Sequence, residues 1–110
     1  PGPYTFILKS NKYVQKFFKN NKEEIGVRIP KSEILDALQE FLEAPLISTS
    51  LNTHNGVQNY FTDPDEIANV FQHTVDMLLD GGNGDNAEST VLDCTGEEIE
   101  LIREGKGQVD

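Results

Sequence analysis

Pro45-Leu46-Ile47-Ser48-Thr49-Ser50-Leu51-Asn52 begins as a short apolar run and turns abruptly into hydroxyls and an amide. The apolar start suits a buried strand. Three consecutive hydroxyl side chains are poor core material, because each buried O–H needs a partner. The change of character therefore marks a strand emerging at its carboxyl end, where open α/β sheets bind their ligands. Alternation along an extended segment puts Ser48, Ser50 and Asn52 on one face, with Thr49 and Leu51 on the other. Two hydroxyls and an amide then point the same way. The plainer alternative is a polar strand end leading into a loop.

Upstream, Pro1-Gly2-Pro3 is a turn, and residues 4–9 (Tyr-Thr-Phe-Ile-Leu-Lys) are β-branched and aromatic enough to form a strand. Apolar residues at 13, 14, 17 and 18 fit one short helix, broken by Asn20-Asn21. Residues 25–29 make a second strand, stopped by Pro30. Ser32 caps the clearest helix, whose stripe is Ile34, Leu35, Leu38, Phe41 and Leu42. Downstream, Asn55-Gly56 signals a turn. Asp63-Pro64-Asp65-Glu66 starts a further helix with Ile67, Val70 and Phe71 on its buried side. Residues 89–94 and 99–103 make two strands joined at Thr95-Gly96, a hairpin. Strands and helices mix without strict alternation, so the chain is expected to be α+β (mixed α/β) around one sheet.

The length of 110 residues sets one domain, 1–110, as the expectation. No apolar run approaches the roughly 20 residues that span a bilayer, so no membrane is expected. One cysteine, Cys94, makes no internal disulfide and suits a reducing, cytoplasmic setting as a buried inert thiol. The net charge of −10 is segregated. Residues 1–31 hold seven basic and two acidic side chains, whereas residues 32–110 hold two basic and seventeen acidic ones. An acidic surface repels nucleic acid as a whole, yet Lys9, Lys12, Lys16, Lys19 and Lys22 form a patch that either touches phosphate or is a solvated helix face.

Arg28, Ser48, Ser50, Asn52, Ser89 and Arg103 all fall at expected strand ends. They supply hydrogen-bond donors and fixed positive charge without a general base. That is the equipment of a site that binds an anion and positions it. Gly81-Gly82-Asn83-Gly84 lacks the Gly-Lys-Ser/Thr ending of a phosphate loop and is expected to be a turn. His54 and His73 lie apart, without ligand spacing, and His73 suits the end of a helix. Asp80, Asp85 and Glu88 offer either a divalent-ion site or simply an acidic loop, so the metal ligands are left open.

Five ordered blocks carry a resemblance that spans nearly the whole chain. They are residues 1–8 (Pro-Gly-Pro-Tyr-Thr-Phe-Ile-Leu), 25–30 (Ile-Gly-Val-Arg-Ile-Pro), 48–52 (Ser-Thr-Ser-Leu-Asn), 88–93 (Glu-Ser-Thr-Val-Leu-Asp) and 102–105 (Ile-Arg-Glu-Gly). In order and spacing they resemble the YrdC/YciO family. The resemblance implies a YrdC/RibB-like fold, a twisted mixed sheet flanked by helices. It implies a threonylcarbamoyl-adenylate synthase activity. Such an enzyme takes L-threonine, bicarbonate and ATP, with Mg²⁺, releases pyrophosphate, and serves tRNA modification at adenosine 37.

By the same resemblance Arg28 holds the threonine carboxylate, and Ser48 and Ser89 touch the threonine. Ser50 and Asn52, as the family's Ser-x-Asn motif, bind the nucleotide, and Arg103 faces its phosphates. No residue is expected to act as a catalytic base. Two departures qualify this. The family's Lys-x-Arg motif lies upstream of Pro-Gly-Pro and has no counterpart here. These residues are therefore expected to be the C-terminal portion of a YrdC-like domain. That portion would lack its N-terminal half, be inactive in adenylate formation on its own, and be open to self-association at a sheet edge. Leu51 and Thr53-His54-Asn55-Gly56 replace the usual small residues and Ser-Gly, which points to the YciO-like branch. The alternative reading is a module that binds double-stranded RNA or tRNA without adenylate chemistry. A third is a carbamoyl-transfer domain of the hydrogenase-maturation kind.

Overall fold

A computed structural model describes residues 1–53 and 60–110 of the chain. Its elements in order are β1 (Tyr4–Lys9), α1 (Lys12–Phe18), β2 (Glu24–Arg28), α2 (Glu33–Gln39), α3 (Pro64–Phe71), β3 (Thr90–Asp93) and β4 (Glu100–Arg103). They make an α+β fold with a four-stranded mixed sheet in the order β2-β1-β3-β4. β1 runs antiparallel to β2 and parallel to β3, and β3 is antiparallel to β4. The chain divides into two compact units, Pro1–Ser32 with Ala87–Asp110, and Glu33–Asn86.

The first unit is the sheet and α1. Backbone bonds continue the ladder past the strand ends, from Gly2 N to Ile29 O (2.9 Å), Thr90 N to Pro3 O (2.9 Å) and Cys94 N to Ile7 O (2.9 Å). Asn11 caps α1 by accepting from Val14 N at 2.9 Å, and Lys19 ends it in the left-handed region with φ 55°.

Register sorts the side chains of this sheet. Tyr4, Phe6 and Leu8 share a face with Ile25, Val27, Leu92 and Leu101, which makes that face apolar. Phe6, Leu8, Val27 and Leu101 are 36–49% exposed, so this face stays partly open to solvent. Thr5, Ile7 and Lys9 share the opposite face with Arg28, Gly26, Glu24, Val91 and Asp93. Cys94, expected to be buried, is half-buried at the end of β3.

The second unit contains α2 and α3. Asp63 caps α3, accepting from Asp65 N at 2.9 Å, with Pro64 in the first turn as expected. Phe61 and Phe71 meet edge to face at 5.7 Å between ring centres. The stripe expected on α2 is cut short. The helix ends at Gln39, 3₁₀-type bonds from Phe41 N to Leu38 O and Leu42 N to Gln39 O follow, and Phe41 is 84% exposed.

The strand expected over residues 46–50 is not formed. Those residues join no ladder among the described residues, and only Asn52 pairs, in an isolated bridge with Tyr60. An extended segment without a hydrogen-bonding neighbour is not a strand, and no local sequence pattern can supply that neighbour. The turn expected at Asn55-Gly56, and His54, lie outside the described residues. Among the described residues no helix is long and apolar enough to cross a membrane.

Candidate functional site

Side chains with donor and cationic chemistry collect at one end of the first unit's polar sheet face. Arg28 on β2 pairs with Thr5 on β1, Thr5 pairs with Val91 on β3, and Val91 pairs with Arg103 on β4. One row therefore runs across all four strands, about 14 Å from Arg28 to Arg103 at the usual strand spacing. A Cβ placed on Gly26 would lie 3.5 Å from Thr5 Cγ2, which fits the same facing.

Arg103 reaches this face because of a register shift. Leu92 pairs with Leu101, and the same offset would set Arg103 opposite Thr90, on the apolar side. The ladder slips by one residue between Val91 and Leu92, so Arg103 faces Val91 instead. An extra residue in one strand of an antiparallel pair re-aims the side chains beyond it.

Ser89, immediately before β3, completes the row. Its Oγ lies 2.8 Å from Thr5 Oγ1. Arg103 donates from Nε (3.0 Å) and Nη2 (2.9 Å) to Ser89 O, and from Nη2 to Ser89 Oγ (3.2 Å). Glu88 Oε2 lies 3.5 Å from Arg103 Nε. Those bonds leave Nη1 as the part of the guanidinium with no hydrogen bond among the described residues. At the other end, the exposed side chain of Arg28 makes no hydrogen bond or ion pair among the described residues. Its planar fork is open to an anion.

Ser48, Ser50 and Asn52 belong to the second unit. All three are exposed, and the hydroxyls of Ser48 and Ser50 have no hydrogen bond among the described residues. That unit carries ten acidic side chains and no Lys or Arg, so it holds the whole net charge of −10, while the first unit is balanced at nine of each sign. Residues 33–86 therefore supply no cationic side chain to an anion near Ser50 and Asn52.

Gly81–Gly84 is a loop with a bend at Gly82, which sits at φ +88° and donates its N–H to Asp80 Oδ1 at 2.9 Å. No group of three or more His, Cys, Asp or Glu side chains suited to a metal ion occurs among the described residues. The carboxylates Asp80, Asp85 and Glu88 build no such group. Nothing local in the sequence marks Thr5, Tyr4 or Thr90, hydroxyls whose partners are 84, 104 and 17 positions away.

Comparison with known proteins bears on this geometry. The family model Sua5/YciO/YrdC, described by the words "Telomere recombination", matches residues 1–105. The chain belongs to this family. The chain is 38% identical over 110 residues to an uncharacterized protein, YciO, of Escherichia coli K12, covering 99% of this chain and 53% of that one. A Haemophilus influenzae protein is 35% identical over 108 residues, covering 97% and 52% respectively. The crystal structure of E. coli YciO superposes with a TM-score of 0.83 at 38% identity, over 98% of this chain and 52% of that one. The chain thus spans about half the length of the relatives it matches, and it shares their fold.

Proposed function

We propose that the row from Arg28 to Arg103 is the anion-binding part of a threonylcarbamoyl-adenylate synthase-type site. The observation that carries this is the placement of two guanidinium groups and two hydroxyls along one row of a polar sheet face, with Arg28 unpaired among the described residues. In this reading Arg28 offers two parallel donors to the carboxylate of L-threonine. Ser89 contributes a hydroxyl to the same amino acid, and Arg103 turns its remaining donors to the phosphates of ATP. With loss of water, the threonine amine and bicarbonate combine to a carbamate. Its oxygen attacks the α-phosphorus, the bond to the bridging oxygen breaks, and pyrophosphate leaves with the electron pair. The reacting groups belong to the substrates, so the protein contributes alignment and charge stabilisation rather than a base.

Isotope-labelled protein titrated with L-threonine and with ATP tests the assignment. Arg28→Ala is expected to weaken threonine binding, and Arg103→Ala to weaken ATP binding, each about tenfold or more, as for a lost hydrogen bond to a charged group. Unchanged affinities in both variants would overturn the reading. The 110-residue chain on its own is expected to release no pyrophosphate at a rate approaching that of a full-length synthase.

A second reading, binding of double-stranded RNA or tRNA without adenylate chemistry, is favoured by one feature. Lys9, Lys12, Lys16, Lys19 and Lys22 on and around α1 are exposed, and none forms an ion pair among the described residues. RNA affinity that falls steeply with salt, and falls again when Lys12, Lys16 and Lys19 are neutralised, would support it.

A further inference from the structure

Thr90 is fully buried, the one buried polar side chain among the described residues. Its Oγ1 donates to Gly107 O at 2.6 Å and accepts from Gly105 N at 3.1 Å. Lys106 N donates to Glu88 O at 2.8 Å, and Tyr4 Oη donates to Gln108 O at 2.8 Å. The approach is so close that only glycine fits. A Cβ at Gly105 would fall 2.6 Å from Ser89 C and O and against Glu88 O, and one at Gly107 would enter the Tyr4 ring. The chain leaving Arg103 is therefore folded back over the start of β3 and closed there from both sides.

This closure bears on Arg103. Its guanidinium rests on Ser89 O, one residue before Thr90, while its own backbone runs directly into the turn that Thr90 holds. Both ends of the arginine, backbone and guanidinium, are thereby referred to the same two residues of the chain. Only a hydroxyl can serve this position, because it must donate and accept at once. A valine of the same shape would bury an unpaired N–H and an unpaired C=O.

We propose that Thr90 is a positioning residue: its buried hydroxyl closes the 105–107 turn over β3 and so fixes the Arg103 guanidinium for a polyphosphate anion. The proposal rests on reading Arg103 as a phosphate contact, and Thr90 itself touches no ligand.

The test compares Thr90→Val, Thr90→Ser and Arg103→Ala in the full 110-residue chain, with ATP as the probe. In the unliganded parent, the Gly105 and Lys106 amides and the Arg103 Nε–H are expected to exchange slowly with solvent. In Thr90→Val they exchange freely and ATP affinity falls about tenfold, the scale of one lost well-placed hydrogen bond. Thr90→Ser restores both to within about twofold by the same reasoning. A merely structural threonine would not be rescued in affinity by serine in step with Arg103 Nε–H protection. Retained Arg103 protection and ATP affinity in Thr90→Val would overturn the proposal, as would fast exchange of those groups in the parent. The parent measurement stands even if Thr90→Val fails to fold. If Arg103→Ala leaves ATP affinity unchanged, the nucleotide reading fails instead, and Arg103 exchange in the unliganded chain still decides whether Thr90 positions it.

Discussion

The two units hold their polar groups by different means. In the first, partners are distant in sequence: Thr5 with Ser89, Thr90 with Gly107, Tyr4 with Gln108, and β1 with β3 across the whole of the second unit. In the second, several bonds among the described residues stay within a few positions. Asp63 caps its own helix, Asp80 accepts from Gly82, and Thr74 N and Val75 N donate to Phe71 O. Longer ties among the described residues include Tyr60 N to Asn86 Oδ1 at 3.0 Å and Gly84 N to Thr62 O at 2.7 Å. The lesson is that Ser89 and Arg103 are held before any ligand arrives, whereas the hydroxyls of Ser48 and Ser50 are not. Pre-held groups align a ligand at little ordering cost, and loose ones must be ordered on binding.

The largest expected break in that contrast comes from Gly105→Ala. The new methyl group would meet backbone atoms of Glu88 and Ser89, which cannot rotate away as a side-chain tip can. Overpacking of that kind costs about 3 kcal/mol. Because the affected contacts lie at the start of β3, which pairs with both β1 and β4, the loss is expected to appear as cooperative unfolding of the sheet at lower urea. A melting midpoint unchanged from the parent would show that the closure over β3 does little for stability.

A smaller effect sharpens the comparison from the other side. Asp63→Ala removes the cap of α3, worth about 1 kcal/mol. Its bonds are local, so amide exchange is expected to quicken over α3 while β1 and β3 keep their protection. Loss of protection throughout the sheet would show that the units do not respond separately.

Much of the first unit was legible in the sequence, for reasons that particular residues make plain. β1 is a run of aromatic and β-branched residues, and the β3–β4 pair follows from two such runs with a turn between them. Asp63-Pro64 declared its helix through local chemistry alone. The strand expected at 46–50 was not legible, because pairing depends on a neighbour that local pattern cannot name. The facing of Arg103 was hidden for a related reason. Alternation from Leu101 would put it on the apolar side, and only the slip at Val91–Leu92 moves it to the row with Thr5. Thr90 offered no trace at all, because its partners are backbone groups reached only once the turn has closed.

The smallest expected effect lies at the end of β3 remote from the arginines. Asp93 Oδ1 accepts from Thr95 Oγ1 at 2.6 Å and from Thr95 N at 2.9 Å. The hydroxyl bond lowers the Asp93 pKa most, the backbone bond lowers it further, and slight desolvation opposes both. A carboxylate whose folded pKa lies below its unfolded value contributes stability above the unfolded value, 3.8. That contribution is lost as pH falls through the lower, folded value. Thr95→Val removes the hydroxyl bond and keeps the backbone one, so the Asp93 carboxyl is expected to titrate at higher pH while staying below its ordinary value. Carbon-detected NMR titration of Asp93 in the two proteins reads the shift directly. Asp93 is only half-buried, so the stability change at neutral pH is expected to be slight, and this local turn should leave the protection of Gly105 and Lys106 untouched. If Thr95→Val instead loosened those amides, the hairpin loop and the closure over β3 would be one structural element, and the division between local and long-range bonding would fail inside the first unit itself.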